Sequence, residues 1–139
     1  MVDLAYEQLH IGLSASFERL LKAEDLDAFA ALSGDHNSLH TDQAYAVAGG
    51  FPGRVAHGML SGALYSTLVG MHLPGLRALL MGIDISFHAP VFAGDRLTIS
   101  GEITHRQDAF KLIEITAKIV DQDGRKLSKA KIKVGLRDA

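Results

Sequence analysis

Two ionisable side chains in the segment 33–42, which reads Ser-Gly-Asp-His-Asn-Ser-Leu-His-Thr-Asp, could form an acid–base pair. They are Asp35 and His40, five positions apart. On a helix, at about 100° per residue, the two side chains would point about 140° apart, so they can act together only if the segment is a loop. Gly34 and Asn37 favour such a loop. The pair could then hold one water molecule, with the carboxylate accepting its proton and the imidazole passing a proton on.

A second motif, His57-Gly58-Met59, lies downstream of this loop. Together the two motifs resemble those of the MaoC-like (R)-specific enoyl-CoA hydratases, in which a D-x-N-P-x-H loop is followed by an H-G-M that opens the central helix. The resemblance extends from about Phe17 to Val134. Ser38 stands where the family usually has proline, which affects the expected stiffness of the loop more than its chemistry. Without the second motif, a solvated polar loop would be the simpler interpretation.

The resemblance implies reversible addition of water to a trans-2-enoyl thioester, giving an (R)-3-hydroxyacyl thioester. Asp35 and His40 would bind the attacking water, and the Gly58 backbone N–H would stabilise the charge that develops on the thioester oxygen. Ser66 matches a family serine that supports the active site, although its hydroxyl could instead bond to the carbonyl four residues earlier. Asn37 would shape the loop through backbone hydrogen bonds. No metal or organic cofactor would be needed, and a homodimer is implied.

Composition limits the classes of function. The chain has 139 residues, 47% of them hydrophobic and 22% charged, which is ordinary for one globular domain spanning 1–139. A net charge of −2 without a basic cluster argues against nucleic-acid binding. There is no cysteine, so disulfides and thiolate chemistry are excluded. The first residues carry acids and no apolar run, so a cytoplasmic protein is expected.

The hydrophobic pattern predicts one central helix and a long antiparallel sheet. The helices are predicted at 24–33, at 42–47 with Thr41 as its cap, and at 58–73. Strands are predicted at 14–20, 79–87, 97–103, 113–119 and 130–136, with a hairpin turn at 121–124. This is an α+β pattern, and it agrees with the hot-dog fold that the resemblance implies, in which a long antiparallel sheet wraps around one helix. The active-site loop would lie on a short helical insert.

The segment 58–73 contains no Asp, Glu, Lys or Arg, and it is too short to cross a bilayer, so a helix buried in the core is expected. His57, just before it, would pack or cap there. Its buried face is predicted to contain Leu60, Ala63, Leu64, Thr67, Leu68 and Met71. A second row at four-residue spacing consists only of small residues, namely Gly58, Gly62, Ser66 and Gly70. Such a row could admit the catalytic loop or a ligand, or could fit the helix against a curved sheet.

Three alternatives to the hydratase stay open. A hot-dog thioesterase usually has a carboxylate on the central helix, and this helix has none. A non-catalytic acyl-thioester-binding subunit would have no need for both Asp35 and His40. A divalent metal could be bound by Asp35, His36, His40 and Asp42, since imidazole and carboxylate are suitable ligands.

The carrier of the thioester is equally open. Coenzyme A and acyl-carrier protein share the phosphopantetheine arm, so either could deliver the acyl group. The acyl-chain length depends on pocket depth, which the pattern does not give. Cations that could contact phosphates include several lysines and Arg54, Arg77 and Arg106.

Overall fold

The computed structural model describes residues 1–138, which form one antiparallel sheet and four helices. The strands are β1 (Ser14–Leu20), β2 (Ala78–Phe87), β3 (Arg96–Gln107), β4 (Leu112–Val120) and β5 (Lys126–Leu136). The helices are α1 (Ala23–Ser33), α2 (Ser38–Thr41), α3 (Gln43–Ala48) and α4 (Gly58–Thr67), and a π-helical turn, Leu68–His72, continues α4. The strands are arranged in the order β1-β3-β4-β5-β2, so β1 and β2 are the edges.

Alternation along the strands places the core on one face of the sheet. Ile99 of β3, Ile115 of β4 and Ile132 of β5 are fully buried, whereas their polar neighbours face the other side. Gly101 of β3 allows the helix to approach this inner face. A Cβ atom there would lie 2.8 Å from methyl groups of Leu68 and Ile115, so a larger residue would force these two side chains to move.

The central helix is where it was predicted, but its buried face is rotated. Leu64 and Leu68 are buried as expected, whereas Ala63 and Met71 are exposed. Tyr65, which the pattern did not select, is fully buried because its ring fills the core and its hydroxyl hydrogen-bonds the Ser128 hydroxyl at 2.8 Å.

The helix boundaries follow the capping chemistry. Gly34 ends α1 in a left-handed conformation with φ 79°, as predicted. The prediction that Thr41 caps the next helix is wrong, because the Asp42 carboxylate accepts the Tyr45 N–H and caps α3. None of the helices within residues 1–138 is long and apolar enough to cross a membrane.

Candidate active site

A series of local hydrogen bonds folds the chain between α1 and α2. The Asp35 N–H donates to the Ser33 hydroxyl at 3.2 Å, and the Asp35 carboxylate accepts the Asn37 N–H at 3.1 Å. Asn37 in turn caps α2, because its side-chain oxygen accepts the Leu39 N–H at 3.0 Å. The predicted loop is thus a tight turn followed by one turn of helix, and His40 lies in that helical turn.

This turn brings Asp35 and His40 together. The distance from His40 Nε2 to Asp35 Oδ2 is 3.9 Å, too long for a direct hydrogen bond but suitable for a shared water molecule. His40 Nδ1 lies 2.7 Å from the Val55 carbonyl oxygen, which can only accept, so we assign the proton to Nδ1. Nε2 is then free to accept a hydrogen bond. The Asp35 side chain is half exposed, whereas His40 is mostly covered.

His57 supports both residues of this pair. It is buried, with 2% of its surface exposed, and its ring stacks on that of His40 at a centroid distance of 3.9 Å. Its Nε2 lies 2.9 Å from the Asp35 carbonyl oxygen and donates to it. The prediction that His57 packs is confirmed, whereas its side chain does not cap α4. Sequence reasoning missed its contact with the catalytic loop, although its place in the H-G-M motif was the available signal.

Arg54 holds the other side of α2. Its Nε–H donates to the His40 carbonyl oxygen at 2.6 Å, and its guanidinium pairs with Asp27 of α1. This side chain had been considered for phosphate contact. Within the described residues, Arg54 instead connects the helical turn that carries His40 to α1.

A cavity of about 390 Å³ opens beside His40. Gly58 and Ser61 at the start of α4 line it, together with Phe87 at the end of β2 and the segment 88–91 that follows. As the first residue of α4, Gly58 has no intrahelical acceptor for its N–H. The Ser61 hydroxyl donates to the Gly58 carbonyl oxygen at 2.7 Å, which fixes this first turn. The structure therefore places Gly58 and His40 on the same cavity, and it adds Ser61, which the sequence analysis did not select.

The small-residue row packs mainly on the sheet. A Cβ atom on Gly62 would lie 3.2 Å from Ile85 Cδ1, and one on Gly58 would lie 3.4 Å from the Phe87 ring. Gly62 thus fits the helix against β2, and the idea that it contacts the catalytic loop is wrong. Ser66 is exposed and does not line the cavity beside His40, so its role in the active site stays a prediction.

The possible metal ligands differ from those expected. Within residues 1–138, Asp35, His40 and His57 each offer a ligand atom, and these atoms lie within 4.8 Å of one another. His36 is exposed and outside this group, and the Asp42 carboxylate caps α3. One His57 nitrogen and one His40 nitrogen already contact carbonyl oxygens. The backbone therefore already occupies one nitrogen of each histidine in this cluster.

Comparisons with known proteins connect this geometry to a family. The family described as MaoC like domain matches residues 9–124. The (R)-specific enoyl-CoA hydratase of Aeromonas caviae is 36% identical over 121 residues, covering 87% of this chain and 90% of that protein. A solved structure of the (R)-hydratase from A. caviae has a TM-score of 0.91 at 35% identity, covering 94% of this chain and 99% of that one. The unliganded R-hydratase PhaJ1 of Pseudomonas aeruginosa has a TM-score of 0.93 at 31% identity, covering 99% and 88%. The predicted hot-dog fold is confirmed.

Proposed function

The chain belongs to the MaoC-like domain family, and from that premise we propose that it is an (R)-specific enoyl-CoA hydratase. It is a hydro-lyase that adds water reversibly to trans-2-enoyl-CoA and gives (R)-3-hydroxyacyl-CoA. The similar hydratases support the reaction class. The observation that carries the assignment to these residues is the separation of 3.9 Å between Asp35 and His40, of which His40 lines the same cavity as Gly58.

Asp35 and His40 share one water molecule in this mechanism. A water has two O–H groups, and the Asp35 carboxylate and His40 Nε2 are two acceptors at a separation that one water can bridge. With both O–H groups held, the oxygen lone pair points away from the pair and towards the alkene. As the oxygen adds to C3 of the substrate, one of the two acceptors takes a proton from the water. The same group then delivers the proton to C2, on the same face, so no external acid is consumed.

Charge develops on the thioester oxygen while the C3–O bond forms. The Gly58 N–H is suited to receive it, because this donor is free at the positive end of α4 and lines the cavity next to His40. The Ser61 hydroxyl keeps the first helical turn in place through the Gly58 carbonyl. Ser66, farther along the same helix, is the further residue that we keep as a candidate for substrate contact.

A homodimer formed through β2 is part of the proposal. β2 is an edge strand, and most of its ten residues are exposed. Its exposed apolar side chains are Leu79, Leu80, Met81, Ile83 and Phe87. A long apolar edge strand with free backbone groups would promote aggregation if it stayed uncovered, so a second copy paired along β2 is the simplest cover. Phe87 also borders the cavity beside His40, and the dimer would therefore enclose the substrate.

Coenzyme A as the carrier and the cytoplasm as the compartment belong to the same proposal. The carrier is tested by comparing coenzyme A thioesters with acyl-carrier-protein thioesters. The compartment is tested by cell fractionation.

The central experiment identifies the product. The protein is incubated with trans-2-butenoyl-CoA and trans-2-octenoyl-CoA, and the products are separated by chiral chromatography. An (R)-3-hydroxyacyl-CoA is the expected product, whereas free coenzyme A indicates a thioesterase. Binding without turnover would indicate a non-catalytic subunit. The metal content of the same preparation shows whether the cluster of Asp35, His40 and His57 holds an ion.

A further inference from the structure

The lysines and arginines of the chain fall into two groups, those that form an ion pair within the described residues and those that do not. Six of the fourteen lysines and arginines form ion pairs within the described residues. They include all three arginines that the sequence offered for phosphate contact, since Arg54 pairs with Asp27, Arg77 with Asp3 and Arg106 with Asp108. Five lysines without an ion pair in the described structure lie on β4 and β5, namely Lys118, Lys126, Lys129, Lys131 and Lys133.

Two of these lysines lie directly opposite each other. Lys118 of β4 is the cross-strand partner of Lys129 of β5, and both are exposed on the face of the sheet opposite the core. Like charges at directly opposed positions destabilise a sheet. A sheet built for stability alone would have an acid at one of these positions, as at the neighbouring pair Asp84–Lys131. The two lysines therefore concentrate positive charge at one place on this face of the sheet.

The same two lysines line the larger of the cavities beside the sheet. This cavity has a volume of about 1020 Å³ and crosses β1, β3, β4 and β5. Lys126 lines it too, and the side-chain hydroxyl groups of the cavity come from Ser14, Ser16, Ser100 and Thr116. Glu102 is its only acidic lining residue. Ammonium and hydroxyl groups in a concave surface are donors suited to phosphate oxygens.

We call the cavity lined by Lys118, Lys126 and Lys129 the cationic groove. It adjoins the cavity beside His40, which we call the catalytic cavity. His88, which follows β2, lines both. Its backbone N–H donates to the Leu127 carbonyl oxygen at 2.8 Å, which fixes this segment on β5 between the two cavities. A ligand with its reactive end beside His40 and a phosphorylated end in the groove would pass His88.

We propose that the cationic groove binds the phosphate groups of the coenzyme A moiety of the substrate, with Lys118 and Lys129 as the principal contacts and Lys126 as an additional one. This assignment rests on the proposed hydratase function. A small molecule with several phosphates suits a groove of this volume, which is at the upper end of small-molecule sites. The groove thereby sets the affinity for the carrier and leaves the chemistry at C2 and C3 unchanged.

The test compares substrates with and without phosphates. Crotonyl-CoA and crotonyl-pantetheine carry the same reacting group, but only the first has phosphates. Lys118→Gln and Lys129→Gln should each raise KM for crotonyl-CoA by about 2- to 5-fold, the size of one solvent-screened charge contact. The kcat should be unchanged, and so should both constants for crotonyl-pantetheine. Raising the salt concentration should raise KM for crotonyl-CoA but not for crotonyl-pantetheine in the wild type. In the variants this rise in KM for crotonyl-CoA should be smaller.

Lys131→Gln is the matched control, because Lys131 is on the same strand and the same face as Lys129 but does not line the groove. It should leave KM for both substrates unchanged. Lys129→Gln should also keep or slightly raise the melting temperature, because it removes the repulsion with Lys118. A structural role for Lys129 would instead lower stability and impair both substrates alike.

Calorimetric binding of coenzyme A and of pantetheine, without turnover, separates this proposal from the proposed function. Suppose that no enoyl thioester is hydrated, but that coenzyme A binds more tightly than pantetheine and that Lys129→Gln abolishes this difference. The proposed function would then be wrong, whereas the groove would still be assigned to phosphate binding. Equal affinities for coenzyme A and pantetheine would overturn it. An effect of Lys131→Gln on coenzyme A binding equal to that of Lys129→Gln would also overturn it. A loss of activity confined to acyl-carrier-protein thioesters would overturn it too, because the groove would then be a protein-docking surface.

Discussion

The imidazole rings of His40 and His57 lie stacked, with their centroids 3.9 Å apart and their planes 26° from parallel. The His40 ring lines the cavity that Gly58 also lines, and the buried His57 ring donates to the Asp35 carbonyl. His57 therefore fixes the plane of one proposed catalytic side chain and the backbone of the other. It acts through these residues and is a positioning residue.

We expect His57→Leu to lower kcat by about 10- to 100-fold with little change in KM, because a small misplacement of reacting groups has effects of this size. His57→Gln keeps a side-chain N–H and should recover part of the loss. Equal impairment by both substitutions would show that the hydrogen bond to Asp35 has no part in the effect. The control is His36→Gln, since His36 is exposed in the same turn and lies outside the cluster of Asp35, His40 and His57.

The Gly58 N–H can be removed by proline. Proline is tolerated at the first helical position, and His57 before it has φ −55° and ψ 135°, a conformation that a following proline allows. Gly58→Pro should fold and lose about 10²–10³ in kcat, the cost of one donor to a developing oxyanion. Gly58→Ala is the matched control, because its Cβ would make an ordinary contact of 3.4 Å with Phe87 and its N–H is kept. If both variants are equally active, the N–H has no catalytic role.

The sequence predicted the order and type of the main elements because their signals are local. Alternation along β3, β4 and β5, the glycine after α1 and the uncharged central helix each depend on a few neighbouring residues. The rotation of α4 was not predictable in this way. It depends on Ser128, 63 positions away, which accepts or donates the hydrogen bond of the buried Tyr65 hydroxyl.

In the candidate site, too, local motifs were predictable from the sequence and contacts between distant elements were not. Asp35, His40 and Gly58 were selected from their motifs, and the structure brings them to one region. His57 and Arg54 were missed as supports because their contacts cross from one element to another: His57 reaches the Asp35 carbonyl, and Arg54 reaches Asp27 of α1. The cationic groove could not be found from composition, because a net charge of −2 conceals a face that is locally positive.

The proposed dimerisation through β2 predicts that a charge on this edge separates the protomers. Ile83→Asp places a carboxylate among the exposed apolar residues of β2 and should give a monomer in sedimentation velocity, with activity lost in parallel. Phe110→Asp is the control, since Phe110 is 71% exposed but lies in the turn between β3 and β4. A variant at Ile83 that still sediments as a dimer would place the interface elsewhere.

The hairpin between β4 and β5 should make stability depend on acid pH. Burial would raise the pKa of Asp121, but hydrogen bonds from the backbone amides of Arg125 and Asp123 and from the Arg125 guanidinium outweigh it, so the pKa is lowered from 3.8. Because the folded-state pKa is the lower one, this stabilisation is present above pH 3.8 and is lost as the pH falls through the folded value.

Asp121→Asn should therefore reduce the free energy of unfolding at pH 7, and its difference from the wild type should shrink as the pH falls below 3.8. Urea unfolding across this range measures the difference. Asp123→Asn provides the control, since this exposed neighbour uses only its backbone N–H in the turn. A difference that is the same at pH 3 and pH 7 would mean that the charge of Asp121 does not contribute.

The proposed sharing of one water by Asp35 and His40 predicts a non-additive pair of mutations. Asp35→Asn keeps the size of the side chain but cannot accept a proton as a carboxylate does, and His40→Gln cannot titrate near neutral pH. Each should lower kcat by about 10²–10⁴. If both groups hold the same water, removing either already releases it, so the double variant should be scarcely worse than the poorer single one.

The stability of the two variants should differ because their surroundings differ. The Asp35 side chain is half exposed, so Asp35→Asn should leave the melting temperature nearly unchanged. His40→Gln loses the stacking on His57 and replaces the ring N–H that bonds the Val55 carbonyl with a more flexible amide, so it should cost about 1 kcal/mol or somewhat more. Thermal unfolding of both variants checks this difference, and hydration of crotonyl-CoA by the two single variants and the double variant checks the mechanism. Losses that multiply in the double variant would mean that the two residues act independently, and near-normal turnover in either single variant would remove that residue from the catalytic pair.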